Sequence, residues 1–414
     1  MVNILKHSLL SVILLYQVQA NSAENTAIEV GSKYQVQDTL FEYNETISEL
    51  ESKHGVYHPS IREILIELGQ VHQQQENYIE AAEAYERALH ISKVNEGVHD
   101  SVQIEIVELL VNTYSNLGYW SDLEKNMEYM LWLYRRNHSK NDEGLVSMIK
   151  RLANWYRQSY EYHSAGKAVS YLVKADDLFD EASKLLTEEY SRTSPALIDI
   201  LHSSAMTNYQ IAFEVEDSFR MSHRDIREAM IPNKRPNPYL NEIAVRKYYF
   251  EQSFHKGKRS LGKIIESYEA ELPSTIFEYA QAIVYQGDYY LSLNRKWNAM
   301  KNYTKAYSVL TENESNRLFV EKIFGQVRRV KPFRAGPIKE DENESVAYAD
   351  VVFDVPSNGW PTNVRVIRTH PLNNTKLIGR GRHAVSALRY RPRFEAGKAV
   401  DSEGISLRYY FEKQ

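Results

Sequence analysis

The 414-residue chain has no cysteine. That excludes disulfides, thiol catalysis and zinc held by thiolates. Strong charge is also missing: the net charge is −5, which gives no signal for nucleic acid or a membrane surface. Long apolar runs are absent past the first twenty residues. There is no His-Glu-x-x-His pair, no Gly-x-Ser-x-Gly elbow and no glycine-rich phosphate loop. Thirteen histidines invite a metal reading, but His54 and His58 flank Gly55 and Pro59, so no regular helix holds them together and they read as solvated loop residues. His370 precedes a proline in a turn, and Glu188-Glu189 is a solvated helix face. Gly379-Arg380-Gly381 reads as a flexible turn or, at best, a weak anion site. Arg380, Arg382, Arg389, Arg391 and Arg393 form a basic cluster. In an extended strand Arg389, Arg391 and Arg393 would share one face, either solubilising or aimed at phosphate or anionic lipid. No constellation supports catalysis, so no enzyme, metal site or cofactor is expected.

What is present is a beat of 42 residues. Leu68, Leu110 and Leu152 keep it, as do His72, Tyr114 and Tyr156, and Tyr78, Trp120 and Tyr162. So do Ala81, Leu123 and Ala165, then Tyr85, Met127 and Val169, then Ala88, Met130 and Leu172. A fixed period of this size marks a stack of helical repeats, each of which buries its apolar face only against its neighbours. Gly55-Val56-Tyr57-His58-Pro59 stops one helix, and Gly97-Val98-His99-Asp100 repeats the stop.

The unit from Leu65 is the clearest. Leu65, Leu68, Gly69 and His72 share one helical face. Tyr78, Ala81, Tyr85, Ala88 and Leu89 share a face of the next helix. Small residues let the two helices approach and tyrosines fill the gaps. Gly287, Ala299, Tyr303 and Ala306 repeat the spacing of Gly69, Ala81, Tyr85 and Ala88. This pattern resembles a tetratricopeptide repeat, and its long period resembles the repeats of kinesin light chains. The chain is thus expected to be mainly α, a tetratricopeptide-like α-solenoid of six or seven helical hairpins over 34–312. Residues 190–275 are left open between degenerate repeats and a differently folded insert.

Both ends differ from the middle. Lys6 and His7, the apolar run Ser8–Val18 and the small residues before Asn21 predict a secretory signal peptide over 1–20. The run is shorter than the roughly 20 residues a membrane span needs, so the expected product is soluble, outside the cytosol and without a transmembrane span. The predicted helical repeat domain covers 21–324 and a linker covers 325–345, where Pro332, Gly336 and Pro337 break structure. Residues 346–414 carry 11 Lys and Arg against 6 Asp and Glu, a net of +5, which leaves −10 for the rest. In this tail Val351, Phe353 and Val355, then Val364 and Val366, alternate around a turn at Ser357-Asn358-Gly359, giving a hairpin. A short helix over 377–388 and a closing strand through Ile405, Leu407, Tyr409 and Phe411 complete a small α+β domain of order β-β-α-β.

These tail residues resemble the C-terminal domain of TonB-family energy transducers. Val351-Val352-Phe353-Asp354-Val355, Gly359, Asn363-Val364, Val366, Ala384, Tyr390-Arg391-Pro392, Gly397-Lys398, Val400 and Arg408 to Phe411 follow that domain's pattern in order. The chain lacks the family's Pro-rich rod and the Ser-rich turn after the second strand. The resemblance implies strand addition at an exposed sheet edge, with Ile405, Leu407, Tyr409 and Phe411 as the partner-binding strand and an outer-membrane receptor as a partner. A proline at Leu407 is expected to block it. The expected function is a periplasmic adaptor of a Gram-negative cell envelope. It binds protein or peptide partners, and no nucleic acid, through a repeat groove and the strand edge. The alternative is a membrane-anchored transducer.

Overall fold

A computed structural model describes residues 37–139, 142–160, 165–189, 193–220, 238–330 and 347–411. The expected signal segment lies outside them, as do Tyr162 and most of the expected linker. The chain divides into two compact units, Met1–Met148 and Ile149–Gln414.

The first unit holds α1 (37–54), α2 (Pro59–Gln74), α3 (Tyr78–Asn95), α4 (Gln103–Leu117) and α5 (Trp120–Asn137), and it ends within α6 (Glu143–Ser159). Gly55 and Gly97 follow the ends of α1 and α3 with φ of +88° and +85°, a left-handed bend that side chains disfavour. Pro59 then opens α2, where its missing N–H costs no helix bond. The beat is a packing beat: Leu68, Leu110, Ala81, Leu123, Tyr85, Met127, Ala88 and Met130 are all buried. Tyr78 is half-buried and Trp120 is exposed. A Cβ on Gly69 would stand 2.4 Å from the Tyr85 ring, so only glycine lets α2 and α3 close over that tyrosine. The Tyr85 hydroxyl donates to Gln73 Oε1 at 3.0 Å, which satisfies its one polar atom.

The long connections repeat too. Asn95 Nδ2 donates to the Tyr57 carbonyl at 2.8 Å, and 42 residues later Asn137 Nδ2 donates to the His99 carbonyl at 2.8 Å. Tyr57 meets the His90 ring, and His99 meets the Trp132 ring, at the same offset. The residues beyond a standard hairpin therefore form loops, each tied to the end of the following hairpin.

In the second unit Leu152 and Tyr156 of α6 continue the beat and are buried. Then come α7 (Ala165–Glu189), α8 (Pro195–Arg220) and α9 (Pro238–Glu269). At 26 and 32 residues, α8 and α9 exceed any repeat helix, so the middle of the chain departs from the expected uniform hairpins. A polar knot explains why the pattern is lost there. Asp176 is buried and accepts from Lys256 Nζ at 2.6 Å, from Ser204 Oγ at 3.3 Å and from Asn208 Nδ2. Burial pushes the Asp176 carboxyl up, while Lys256 and Asn208 oppose the shift.

The repeat spacing returns in α10 (Ile276–Ser292) and α11 (Lys296–Thr311). A Cβ on Gly287 would stand 2.5 Å from the Tyr303 ring, the Gly69–Tyr85 contact over again. Ala299, Tyr303 and Ala306 are buried beside it. The short α12 (Arg317–Phe324) follows.

The C-terminal part adds β1 (Arg328–Val330), β2 (Tyr348–Val355), β3 (Thr362–His370), α13 (Thr375–Ala387), β4 (Arg389–Arg391), β5 (Arg393–Glu395), β6 (Lys398–Val400) and β7 (Ser402–Tyr410). The main sheet has the order β3-β2-β7, antiparallel throughout. Ala349, Val351, Phe353 and Val355 of β2 form its core with Leu377, Val385, Tyr390 and Phe411. The β-β-α-β expectation holds for the main elements and omits four short strands. One of those corrects the linker: 325–345 is not all linker, because β1 pairs with β4, Arg328 opposite Arg391 and Val330 opposite Arg389. The sheet belongs to the same compact unit as α7 to α12. Gly379 and Gly381 sit inside α13 and form no flexible turn, and Gly381 lets the helix close on Ala349.

Candidate interaction surfaces

An added strand needs outward-pointing backbone groups on a regular edge. Both β3 and β7 are outer strands of the sheet. Pairing of β3 is interrupted twice, at Asp350/Val351 and at Val352/Asp354. Pairing of β7 runs unbroken from Tyr348↔Tyr410 to Phe353↔Ile405. The Phe411 N–H donates to the Ala347 carbonyl at 2.8 Å. Hydrogen-bonded and open pairs alternate along an antiparallel ladder. Tyr409, Leu407 and Ile405 thus turn their amides inward to β2, and Tyr410, Arg408 and Ser406 turn theirs outward.

This parity changes the reading of the predicted strand residues. Ile405, Leu407 and Tyr409 are half-buried and pack against the domain's own core, and Phe411 is a buried member of that core just past β7. Their side chains hold the domain together. The groups an incoming strand would meet are the outward backbone at Ser406, Arg408 and Tyr410. A proline at Leu407 would therefore break the β2–β7 ladder itself. The Arg408 guanidinium is fixed by Asp350 at 2.7 and 3.1 Å and lies over the Tyr348 ring at 4.2 Å.

The basic cluster is not one face. Pro392 divides β4 from β5, so the three arginines part. Arg391 is 8% exposed and grips Asp288 of α10 with two nitrogens, Nε at 3.2 Å and NH2 at 2.6 Å. Its NH1 donates to the Ile323 carbonyl at 3.3 Å. The Tyr303 hydroxyl donates to the same Asp288 at 2.7 Å. Burial works against the charge on Arg391, but Asp288 and Tyr303 offset it and hold its pKa up. Arg389 donates to Asn294 Oδ1 at 3.1 Å and covers the Trp360 ring at 3.8 Å. Arg393 pairs with Glu395. Phe394 meets the rings of Tyr303, Tyr307 and Phe324. The expected solubilising or phosphate-binding arginine face is in part a buried joint between the sheet and the last helical hairpin.

The buried tyrosines make stability sensitive to alkali. Burial pushes the Tyr85 hydroxyl up to about 12. Burial also takes Tyr390 up to about 12, with Arg329 opposing. A raised folded-state pKa favours the protonated native state. This stability is intact below the unfolded pKa of about 10 and is lost as pH rises toward about 12. Alkaline unfolding followed by circular dichroism should fall in that window, with Tyr85 and Tyr390 phenolate absorbance rising only as the chain unfolds. Tyr85→Phe should move the midpoint to higher pH.

Among the described residues no group of three or more His, Asp or Glu is placed to hold a metal ion. The His54 and His58 rings meet at 4.8 Å, tilted by 33°. His72, on the helical face it shares with Leu65, Leu68 and Gly69, is half-buried. Among the described residues no helix is long and apolar enough to cross a membrane.

No protein-family model matches the chain, and no curated protein resembles it. Among solved structures it is similar to BtubC (BKLC) from P. vanneervenii, at 11% identity over 67% of this chain and 91% of that one, with a TM-score of 0.32. It is also similar to a putative kinesin light chain with nearly identical TPR-like repeats from Podosopora anserina, at 12% identity over 62% and 97%, TM-score 0.35. A circular tandem repeat protein is similar at 10% identity over 69% and 65%, TM-score 0.17. The repeat architecture of this chain rests on its own geometry, above all the Gly69–Tyr85 and Gly287–Tyr303 contacts, and not on these likenesses.

Proposed function

We propose that the chain is a protein–protein interaction adaptor of the periplasm. It binds one partner on its helical repeats and takes a second as an added strand on β7. The observation that carries the reading is the regular outer edge of β7, where three successive outward amides stand open for a visiting backbone. Pattern agreement with TonB C-terminal domains points to an outer-membrane receptor segment as that visitor. The apolar N-terminal run points to export. The adaptor is favoured over a force-transmitting transducer because β4, whose Tyr390 packs in the core under the β3-β2-β7 sheet, is fixed to the last helical hairpin through Arg391.

Hydrogen exchange tests the edge. In the free protein the amides of Ile405, Leu407 and Tyr409 should be protected and those of Ser406, Arg408 and Tyr410 should exchange freely. Envelope extract should slow the second set. Ser406→Pro, which removes an outward N–H that the ladder does not use, should abolish partner recovery while circular dichroism stays unchanged. Leu407→Pro should unfold the sheet. Recovery of the same partners by a folded Ser406→Pro protein would exclude strand addition at β7.

A further inference from the structure

The first compact unit is acidic: residues 37–148 carry 20 Asp and Glu against 8 Lys and Arg. Within it an open groove of about 540 Å³ runs along α4 and the end of α5. Its lining combines three kinds of group. Ile104 and Leu109 give it apolar surface, with Val102 exposed beside them. Tyr134 and His138 give it stacked rings, 4.8 Å apart and 19° from parallel. Glu105 and Glu108 give it carboxylates.

The ring pair is held in place. His138 Nδ1 meets Asp142 Oδ2 at 2.8 Å, and Asp142 also accepts the Gly144 N–H at 2.6 Å. The hydrogen bond from His138, then that from Gly144, holds the Asp142 carboxyl below its usual range.

We propose that this groove takes a lysine or arginine side chain from a basic, extended segment of a partner protein. Such a side chain carries an aliphatic stem and a cationic head. The stem matches Ile104 and Leu109. The head matches the Glu105 and Glu108 carboxylates and the faces of the neighbouring rings. The acidic excess of the unit draws a basic segment in and repels an acidic one. This assignment rests on the adaptor reading and supplies the chemistry of its repeat-bound partner.

The probe is a labelled, acetylated octapeptide of alternating lysine and serine, with a glutamate–serine octapeptide beside it. Binding to the full chain is read by fluorescence anisotropy. The lysine peptide should bind and the glutamate peptide should not. E105Q/E108Q should weaken binding by about tenfold. E80Q/E83Q removes the same charge from exposed positions on α3 and should change binding by less than about twofold. Tyr134→Ala should also weaken it. Equal loss in both double variants would reduce the effect to net charge and overturn the site. So would equal binding of the two peptides, or no binding of the lysine peptide. If the lysine peptide fails while extract still protects Ser406, Arg408 and Tyr410, the groove assignment falls and strand addition stands.

Discussion

Arg391→Ala should lower the unfolding free energy of the second unit by about 3–5 kcal/mol, because it leaves a charged Asp288 without its partner in a buried joint. The loss has three parts. Two charge-assisted bonds to Asp288 disappear, the Ile323 carbonyl loses its donor, and the packing of the guanidinium over the Tyr303 ring is lost. Arg391→Lys should recover little of it, since a single ammonium cannot span both carboxylate oxygens and a carbonyl. Removing both charges with apolar residues, as in R391M/D288L, should cost much less than either truncation. Urea unfolding of the full chain reads all three. A change under about 1 kcal/mol for Arg391→Ala would mean the pair is solvated like an ordinary surface bridge.

The same joint marks where sequence reading stopped. The leucine beat, the Gly–Tyr pairs and the alternation of Val351, Phe353 and Val355 all report short-range packing, and short-range packing has a fixed spacing. Arg391 and Asp288 are 103 residues apart, and no periodicity links them. Local pattern was also misleading there. Arg389, Arg391 and Arg393 alternate as a strand face would, but Pro392 splits them between two short strands with different neighbours. Residues 190–275 were unreadable for a different reason. Ser203, Ser204, Thr207 and Asn208 are buried, and Ser204 and Asn208 bond Asp176, so the core face of α8 looks partly polar in the sequence. The edge strand was legible as a strand, but not in its parity. Apolar alternation says which side chains face the core and nothing about which amides face outward.

The paired repeat contacts give a second large effect and a test of how the helices and the sheet communicate. Gly287→Ala places a methyl 2.5 Å from the Tyr303 ring, so either the ring or the helix spacing must shift. Overpacking of this kind should cost about 3 kcal/mol. The equivalent change Gly69→Ala, at 2.4 Å from Tyr85, should cost a similar amount through the same clash. The two differ in what stands behind the ring. Tyr85 donates to Gln73 within its own hairpin. Tyr303 donates to Asp288, the residue that Arg391 grips. A displaced Tyr303 therefore loosens the carboxylate that fixes β4. Gly287→Ala and Arg391→Ala should then be non-additive by about 1–2 kcal/mol, whereas Gly69→Ala and Arg391→Ala share no partner and should add to within about 0.5 kcal/mol. A double-mutant cycle in urea measures both. Strict additivity for the Gly287 pair would show that Tyr303 fills space without helping to hold Asp288 for Arg391.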